Sequence, residues 1–346
     1  MKTRNPIHVL VVDDSPFMRH TLSKHLEAHP DIKVIGQAAD GIDALAKTIE
    51  LRPDVITLDV QMPRMDGLTA LERIMAECPT PVIMVSGLTE RGARVTIQSL
   101  MRGAVDFVTK PVEALQIQEV VNELVEKIKM AAGLRTSPLL IPPTQQPAQS
   151  AKAEPRLYRK GDPLIIIGSS TGGPRALREV LPALPANLSA AVVIVQHMPV
   201  GFTQPLAQRL NQSCTLAVQE AAQGDRLAHG IALVAPSGYH LQFDGQRRVV
   251  LNEGPRRNGV RPAVDITMES AAEQHGDTVI GVVLTGMGHD GLDGARRIKE
   301  AGGKIIAEHE STSVVYGMPR SVIEAGLADY VAPLPEVVAT LMKLIN

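Results

Sequence analysis

Short apolar runs alternate with amphipathic stretches along almost the whole chain, and this alternation is what most limits the fold. Ile7–Val12, Lys33–Gln37, Val55–Leu58, Val82–Val85 and Val105–Val108 read as strands, with helical spacing near 16–28, 41–51, 66–77, 89–101 and 112–130. Runs that are apolar on both faces suit a parallel sheet covered by helices, not a sheet with a wet side. The pattern lapses near Gly133 and restarts with Leu164–Ile167, Ala191–Gln196, Ala232–Ala235, Val279–Leu284 and Lys304–Ala307. Tyr239–Asn252 alternates around Asp244-Gly245, as a hairpin would. The expected fold class is α/β: two doubly wound parallel-sheet domains.

The break between them has its own texture. Pro138, Pro142, Pro143, Pro147 and Pro155 interrupt a polar stretch that contains Gln145, Gln146, Gln149, Ser150 and Lys152, with no periodicity. Such a composition buries too little apolar surface to offset its ordering entropy, so it reads as a linker, with Leu139-Leu140-Ile141 as its one apolar spot. The expected division is a first domain over 5–131, a linker over 132–160 and a second domain over 161–346. The linker holds five Lys/Arg against one Glu, whereas residues 1–131 and 161–346 each hold fifteen against eighteen. A net charge of -2 gives no field for coating nucleic acid, and strand–helix alternation in the second half is not a helix-turn-helix, so no DNA partner is expected. No apolar run approaches the eighteen residues of a membrane span, so no membrane insertion is expected. Cys78 and Cys214 stand far apart, which suits a reducing cytoplasm better than a disulfide framework.

In open parallel sheets, ligands sit beyond the carboxyl ends of the strands. In the first domain those positions hold Asp13 and Asp14, Asp59, Ser86 and Lys110, with Pro63 and Gly67 shaping the loop after Asp59. Converging carboxylates suit a hard divalent cation such as Mg²⁺, and the hydroxyl and ammonium suit a phosphoryl group. Singly, each is also an ordinary turn or helix cap. Val11-Val12-Asp13-Asp14-Ser15, Leu58-Asp59-Val60-Gln61-Met62-Pro63 and Thr109-Lys110-Pro111 together resemble the receiver domain of two-component response regulators. The resemblance implies a flavodoxin-like fold, Asp59 as phosphoacceptor and a histidine kinase as phosphodonor. It also implies Mg²⁺ held by Asp14, Asp59 and the Gln61 carbonyl, with Asp13 acting through water. Ser86 and Lys110 would sense the phosphoryl group, with Phe107 at the switch-aromatic position.

In the second domain, Gly168-Ser169-Ser170-Thr171-Gly172 satisfies G-x-S-x-G after a buried strand, which presents Ser170 as a nucleophile. A glycine-rich phosphate cradle is the competing reading. A serine needs a base, and His197 directly follows the strand Ala191–Gln196, although a histidine there is more often structural. The Gly-rich loop Thr285–Gly291 presents Asp290, either as the carboxylate partner of that base or as the N-cap of the following helix. His289 competes as base but, next to Asp290, would point away from it. The order Ser, His, Asp is not that of α/β-hydrolases.

Gly168–Gly173, Val195-Gln196-His197-Met198-Pro199 with Gly201-Phe202-Thr203, Arg261-Pro262-Ala263-Val264-Asp265, Leu284–Gly288 with Asp290-Gly291, and Tyr316-Gly317-Met318-Pro319 resemble the catalytic domain of the chemotaxis protein-glutamate methylesterases, the CheB family. Ser237 departs from the Gly expected there. The resemblance implies a Rossmann-like esterase domain with Ser170, His197 and Asp290 as triad and the backbone at Met287 and Thr171 as oxyanion donors. It implies hydrolysis of glutamate methyl esters, and deamidation of glutamines, on methyl-accepting chemoreceptors, by a cytoplasmic monomer that needs no cofactor for the esterase step. It further implies that the receiver covers the triad until Asp59 is phosphorylated. The rival class is a phospho-dependent docking module with a degenerate esterase domain. Arg247, Arg248, Arg256, Arg257 and Arg261 form either a patch for an acidic receptor helix or, as run-of-the-mill surface charge, a solvated hairpin and loop.

Overall fold

The computed structural model describes residues 6–87, 89–111, 117–134, 152 and 155–345. Most of the expected linker, including its apolar spot, and the start of the helix expected from 112 lie outside those residues. The chain divides into two compact units between residues 144 and 145.

The first unit runs β1 Ile7–Val12, α1 Pro16–Glu27, β2 Ile32–Ala38, α2 Gly41–Leu51, β3 Val55–Asp59, α3 Gly67–Glu77, β4 Val82–Ser86, α4 Glu90–Met101, β5 Asp106–Thr109 and α5 Ile117–Ala132. Its five parallel strands lie in the order β2-β1-β3-β4-β5, the flavodoxin-like arrangement. Winding reverses between β1 and β3, which opens a crevice at their carboxyl ends. Strands β3 and β4 are buried along their full length. Helix α5 buries Val121, Leu124, Val125 and Ile128, the 3.6-residue spacing that makes one apolar face. Ser15, Asp40, Asp66 and Thr89 cap α1 to α4 with their own side chains, each cap contributing about 1 kcal/mol.

The second unit runs β6 Arg156–Leu157, β7 Leu164–Ser169, α6 Gly173–Ala183, β8 Ala191–Gln196, α7 Thr203–Asn211, β9 Ala217–Glu220, β10 Ala228–His229, β11 Ile231–Val234, β12 His240–Phe243 and β13 Val249–Asn252. It continues through α8 Val264–His275, β14 Val279–Val283, α9 Leu292–Glu300, β15 Lys304–Glu308, α10 Met318–Glu324, β16 Tyr330–Ala332 and α11 Val337–Ile345. A seven-stranded, all-parallel sheet orders them β16-β15-β14-β7-β8-β11-β9. The five strands expected from the sequence fill its middle. Its two edges, β9 and β16, are additions to that expectation: β9 is half polar and β16 is only three residues long, with Tyr330 and Val331 exposed, too short a run to stand out.

The expected hairpin is β12 paired antiparallel with β13. Its turn is built by the Asp244 carboxylate, which accepts from Gln246 N and Arg248 N at 2.8 Å each. The left-handed residue there is Arg247 (φ 60), not Gly245.

Candidate active site

Winding in the second unit reverses between β7 and β14, the place where a doubly wound sheet opens a binding crevice. Ser170 follows β7, His197 follows the adjacent β8, and Asp290 lies in the loop after β14. Ser169 and Gln196 are ladder partners, so Ser170 and His197 stand one step beyond a paired position. His197 N donates to Ser169 O at 3.0 Å and Ser170 N to Thr285 O at 3.0 Å, which ties the three strand ends together.

The His197 Nε2 to Asp290 Oδ2 distance is 2.8 Å. With Nε2 engaged, Nδ1 is the ring nitrogen left to face a hydroxyl, the reverse of the usual assignment in serine proteases. Ser170 is half-buried and is not hydrogen-bonded to His197, as is common before substrate tightens such contacts. Exposed His289 does not share this arrangement.

Asp290 is also a helix cap, though not of the helix that follows it. Its carboxylate accepts from Val264 N (2.7 Å) and Asp265 N (3.0 Å), the first amides of α8, which has no cap of its own. Asp265 Oδ1 in turn accepts from Gly291 N (2.9 Å) and Gly294 N (2.8 Å) at the start of α9. Each helix start is thus capped by an acid from the start of the other, Asp265 from the first turn of α8 and Asp290 from the loop just before α9. Gly291, at φ +99, makes the turn that lets Asp290 reach back to α8. Asn258 Nδ2 bridges the pair, at 3.0 Å from Asp265 Oδ2 and 3.4 Å from Asp290 Oδ1.

The two carboxyls are pushed apart. Burial raises Asp290, but His197 and the α8 amides outweigh it and bring the pKa down to about 2. For Asp265, burial and then the neighbouring Asp290 charge push it up to about 6. One member stays ionised against the imidazole while its neighbour holds its proton more firmly, the pattern that separates roles between adjacent acids.

The loop after β14 comes close to Ser170 because Gly286 has no side chain. A Cβ there would overlap Met318 Sδ and lie 2.9 Å from Ser170 Cβ. Gly286 O accepts from Gly317 N and Met318 N at 3.1 and 2.9 Å, which explains the Tyr316–Pro319 motif as a brace for this loop. Met287 is 47% exposed, whereas Thr171 is buried and its carbonyl accepts from Thr285 Oγ1 at 2.9 Å. Ser237 is buried and donates through its amide to Thr203 Oγ1 at 3.1 Å, so a serine fits locally where the resemblance leads one to expect glycine.

Thr285 N donates to Glu308 Oε2 at 2.7 Å, and burial pushes this carboxyl up to about 7. A raised pKa means that the folded state holds the proton longer, so stability falls as pH rises from about 4.5 through 7. The Glu308→Gln protein keeps an acceptor for Thr285 N without the titration. Its melting temperature is expected to match wild type at pH 5 and exceed it by several degrees at pH 8. An identical pH dependence of melting in the two proteins would refute the assignment.

In the first unit the expected cluster assembles at the β1/β3 crevice. Asp13 and Asp59 are buried, Asp14 is exposed, and their carboxylate oxygens lie within 4.8 Å of one another. Lys110 Nζ sits 2.7 Å from both Asp13 Oδ2 and Asp59 Oδ2. Burial raises the Asp59 pKa and Lys110 opposes it, leaving it above the ordinary value. Gln61 N donates to Asp59 Oδ1 at 3.3 Å, placing the Gln61 backbone beside it. Ser86 is buried at the end of β4. Phe107 is buried with Lys127 Nζ 2.6 Å from its carbonyl oxygen and 5.6 Å from its ring centroid.

The family model for CheB methylesterase matches residues 165–341, and that for the response regulator receiver domain matches residues 9–122. The protein-glutamate methylesterase/protein-glutamine glutaminase of Symbiobacterium thermophilum is 47% identical, covering 100% of this chain and 99% of its own. Its Thermotoga maritima counterpart is 46% identical over 99% of this chain and 100% of its own. The chain belongs to the CheB methylesterase family. The crystal structure of the Thermotoga maritima CheB methylesterase catalytic domain is 46% identical, covers 53% of this chain and 98% of its own, and superposes with a TM-score of 0.52.

Within this CheB chain, several site residues escaped sequence reasoning. Gln196 and Asp265 were visible only as members of quoted motifs, Asn258 carried no signal beyond being polar in the loop between β13 and α8, and Glu308 none beyond being polar at a strand end. The arginine cluster is largely engaged inside its own unit. Arg257 pairs with Glu269 (2.7 Å) and Asp293 (3.1 Å), Arg261 donates to the carbonyls of Glu253 (2.5 Å) and Gly254 (2.8 Å), and Arg248 bonds Gln246.

Proposed function

We propose that this chain is a phosphorylation-activated protein-glutamate methylesterase and protein-glutamine glutaminase acting on methyl-accepting chemoreceptors, with Ser170, His197 and Asp290 as its triad. The observation that carries this reading is the 2.8 Å His197–Asp290 hydrogen bond at the sheet edge where Ser170 emerges. Ser170 Oγ attacks the γ-carbonyl of a glutamate methyl ester while its proton passes to His197 Nδ1. The tetrahedral oxyanion is met by the backbone N–H groups of Met287 and Thr171, each donor contributing about 10²–10³ in rate. The imidazolium returns the proton to the departing methoxide, methanol leaves, and an acyl-serine remains. Water then loses a proton to His197 as it attacks the acyl carbon, the imidazolium returns that proton to Ser170 Oγ as it departs, and a free glutamate carboxylate remains on the receptor. Deamidation follows the same course with ammonia as the leaving group. Asp290, ionised throughout, steadies the imidazolium.

In the receiver, Asp59 accepts a phosphoryl group from a histidine kinase. Three clustered oxygen donors fit Mg²⁺, with Asp14, Asp59 and the Gln61 carbonyl as ligands and Asp13 acting through water. The cation would supply neutralising charge. Lys110 pairs with the phosphoryl oxygens, Ser86 hydrogen-bonds them, and Phe107 reports the change by its burial. The reading places the protein in the cytoplasm as a monomer.

The test is methanol release from methylated receptor, with and without a small-molecule phosphodonor, and labelling of Ser170 by a serine-directed phosphonate. A folded protein that neither releases methanol nor labels would overturn the reading in favour of a docking module. With phosphodonor, turnover is expected to rise about tenfold to a hundredfold. The Asp59→Asn protein should keep its basal rate and lose that response; a response preserved in D59N would place the phosphoacceptor elsewhere.

A further inference from the structure

Gln196 closes β8 as the single polar side chain of an otherwise apolar strand, and it is 1% exposed. Its carboxamide is fully used. Ser169 Oγ donates to Oε1 at 2.7 Å, and Nε2 donates to Ser170 O at 2.9 Å and to His197 O at 3.0 Å. The β7–β8 ladder ends at the Ser169–Gln196 pair. Beyond it the chain turns away on both sides, from Ser170 into α6 and from His197 into the loop before α7. Beside the one backbone bond from His197 N to Ser169 O, the amide is what joins Ser170 directly to His197 past the last ladder pair.

A second observation points the same way. A Cβ on Gly173, the first residue of α6, would overlap Gln196 Oε1 and lie 2.8 Å from Ser169 Oγ. The helix behind the nucleophile starts with glycine because the carboxamide fills that space. Ser170 O also accepts from Gly173 N at 2.8 Å, so the clamp, the nucleophile and the helix start form one hydrogen-bonded unit.

We propose that Gln196 is a positioning residue for hydrolysis: its carboxamide sets the spacing between the Ser170 and His197 backbones, so that the hydroxyl meets Nδ1 when substrate binds. The inference rests on the reading of Ser170 and His197 as nucleophile and base. Gln196 itself acts through those two residues and not on the substrate. Misplacement of reacting groups by about 1 Å lowers rates by about a hundredfold, and this sets the scale of the effect.

The experiment uses the full-length protein carrying Gln196→Met, which keeps the length of the side chain and removes its donors and acceptor. Expected are a fall of about tenfold to a hundredfold in kcat for methanol release, a KM for methylated receptor within about twofold of wild type, and an equal fall in the rate of phosphonate labelling of Ser170, each per folded molecule. Simple destabilisation would lower the folded fraction and leave the rate per folded molecule unchanged. Gln196→Glu keeps the acceptor for Ser169 but turns a carboxylate toward two carbonyl oxygens, so it should not rescue at pH 8. If Q196M does not fold, Ser169→Ala frees only one anchor of the amide and is expected to slow labelling about threefold to tenfold. Labelling and kcat within twofold of wild type in whichever variant folds would overturn the proposal. A wild-type protein that neither labels nor turns over overturns the functional reading as well, and that pattern is distinct from an unaffected variant.

Discussion

Replacing Ser170 by alanine is expected to lower methanol release by about 10⁴- to 10⁶-fold while leaving the melting temperature unchanged. Three adjacent hydroxyls are candidates for the proposed nucleophile, and they differ in burial and bonding. Ser169 is fully buried and its hydroxyl is committed to Gln196. Thr171 is buried and held through its carbonyl by Thr285. Ser170 is half-buried at the crevice, and its backbone bonds to Thr285, Gly173 and Gln196 survive truncation of its side chain. The loss in S170A is therefore chemical, and any residual rate above the uncatalysed one comes from oxyanion donors and binding. Measuring methanol from methylated receptor, alongside thermal melts, checks both halves. A mutant that still turns over within tenfold of wild type would remove Ser170 from the mechanism.

The Asp290→Asn protein is expected to lose about 10³- to 10⁴-fold in kcat and to lose stability as well, because one carboxylate serves two purposes. Asp290 Oδ2 receives both His197 Nε2 and Val264 N, at 2.8 and 2.7 Å. An amide has one acceptor where the carboxylate has two, so asparagine must turn an N–H toward a donor on one side. Losing the α8 cap costs about 1–2 kcal/mol, which corresponds to a few degrees in melting temperature. The pH dependence carries a sign. Because the pKa of Asp290 lies below that of an unfolded aspartate, at about 2, its contribution is present above about pH 4 and is lost as pH falls toward 2. D290N should therefore show a flatter acid limb of melting temperature against pH. Wild-type kcat in D290N would leave the carboxylate a cap only, and an unaltered acid limb would contradict its depressed pKa.

The triad candidates were legible because every strand of a parallel sheet points the same way. Residues directly after strands reach a common edge however far apart they are in sequence, and strands buried on both faces announce themselves as apolar runs. Ser170, His197, Asp13, Asp59 and Lys110 were found by that rule. Strands β9 and β16 were not, since an edge strand pairs on one side only and can be short or half polar: β16 has three residues, and β9 ends in Gln219 and Glu220. The choice between two readings of Asp290 also lay beyond the sequence. It is both a hydrogen-bond partner of His197 and a helix cap, but of α8 and not of α9, a combination no local pattern encodes.

What the sequence determined by itself is the order of elements, the two α/β units and the residues that stand at the open edge of each sheet, because hydrophobic period and strand ends are local properties. Only the tertiary structure decided which atoms meet. It turned Nε2 of His197 to Asp290, crossed the caps of α8 and α9, set Gln196 between Ser170 and His197 at the ends of β7 and β8, and drew Arg257 into an acidic cluster. Those outcomes depend on hydrogen-bond directions between loops distant in sequence, and such directions exist only once the sheet has brought the loops to one edge.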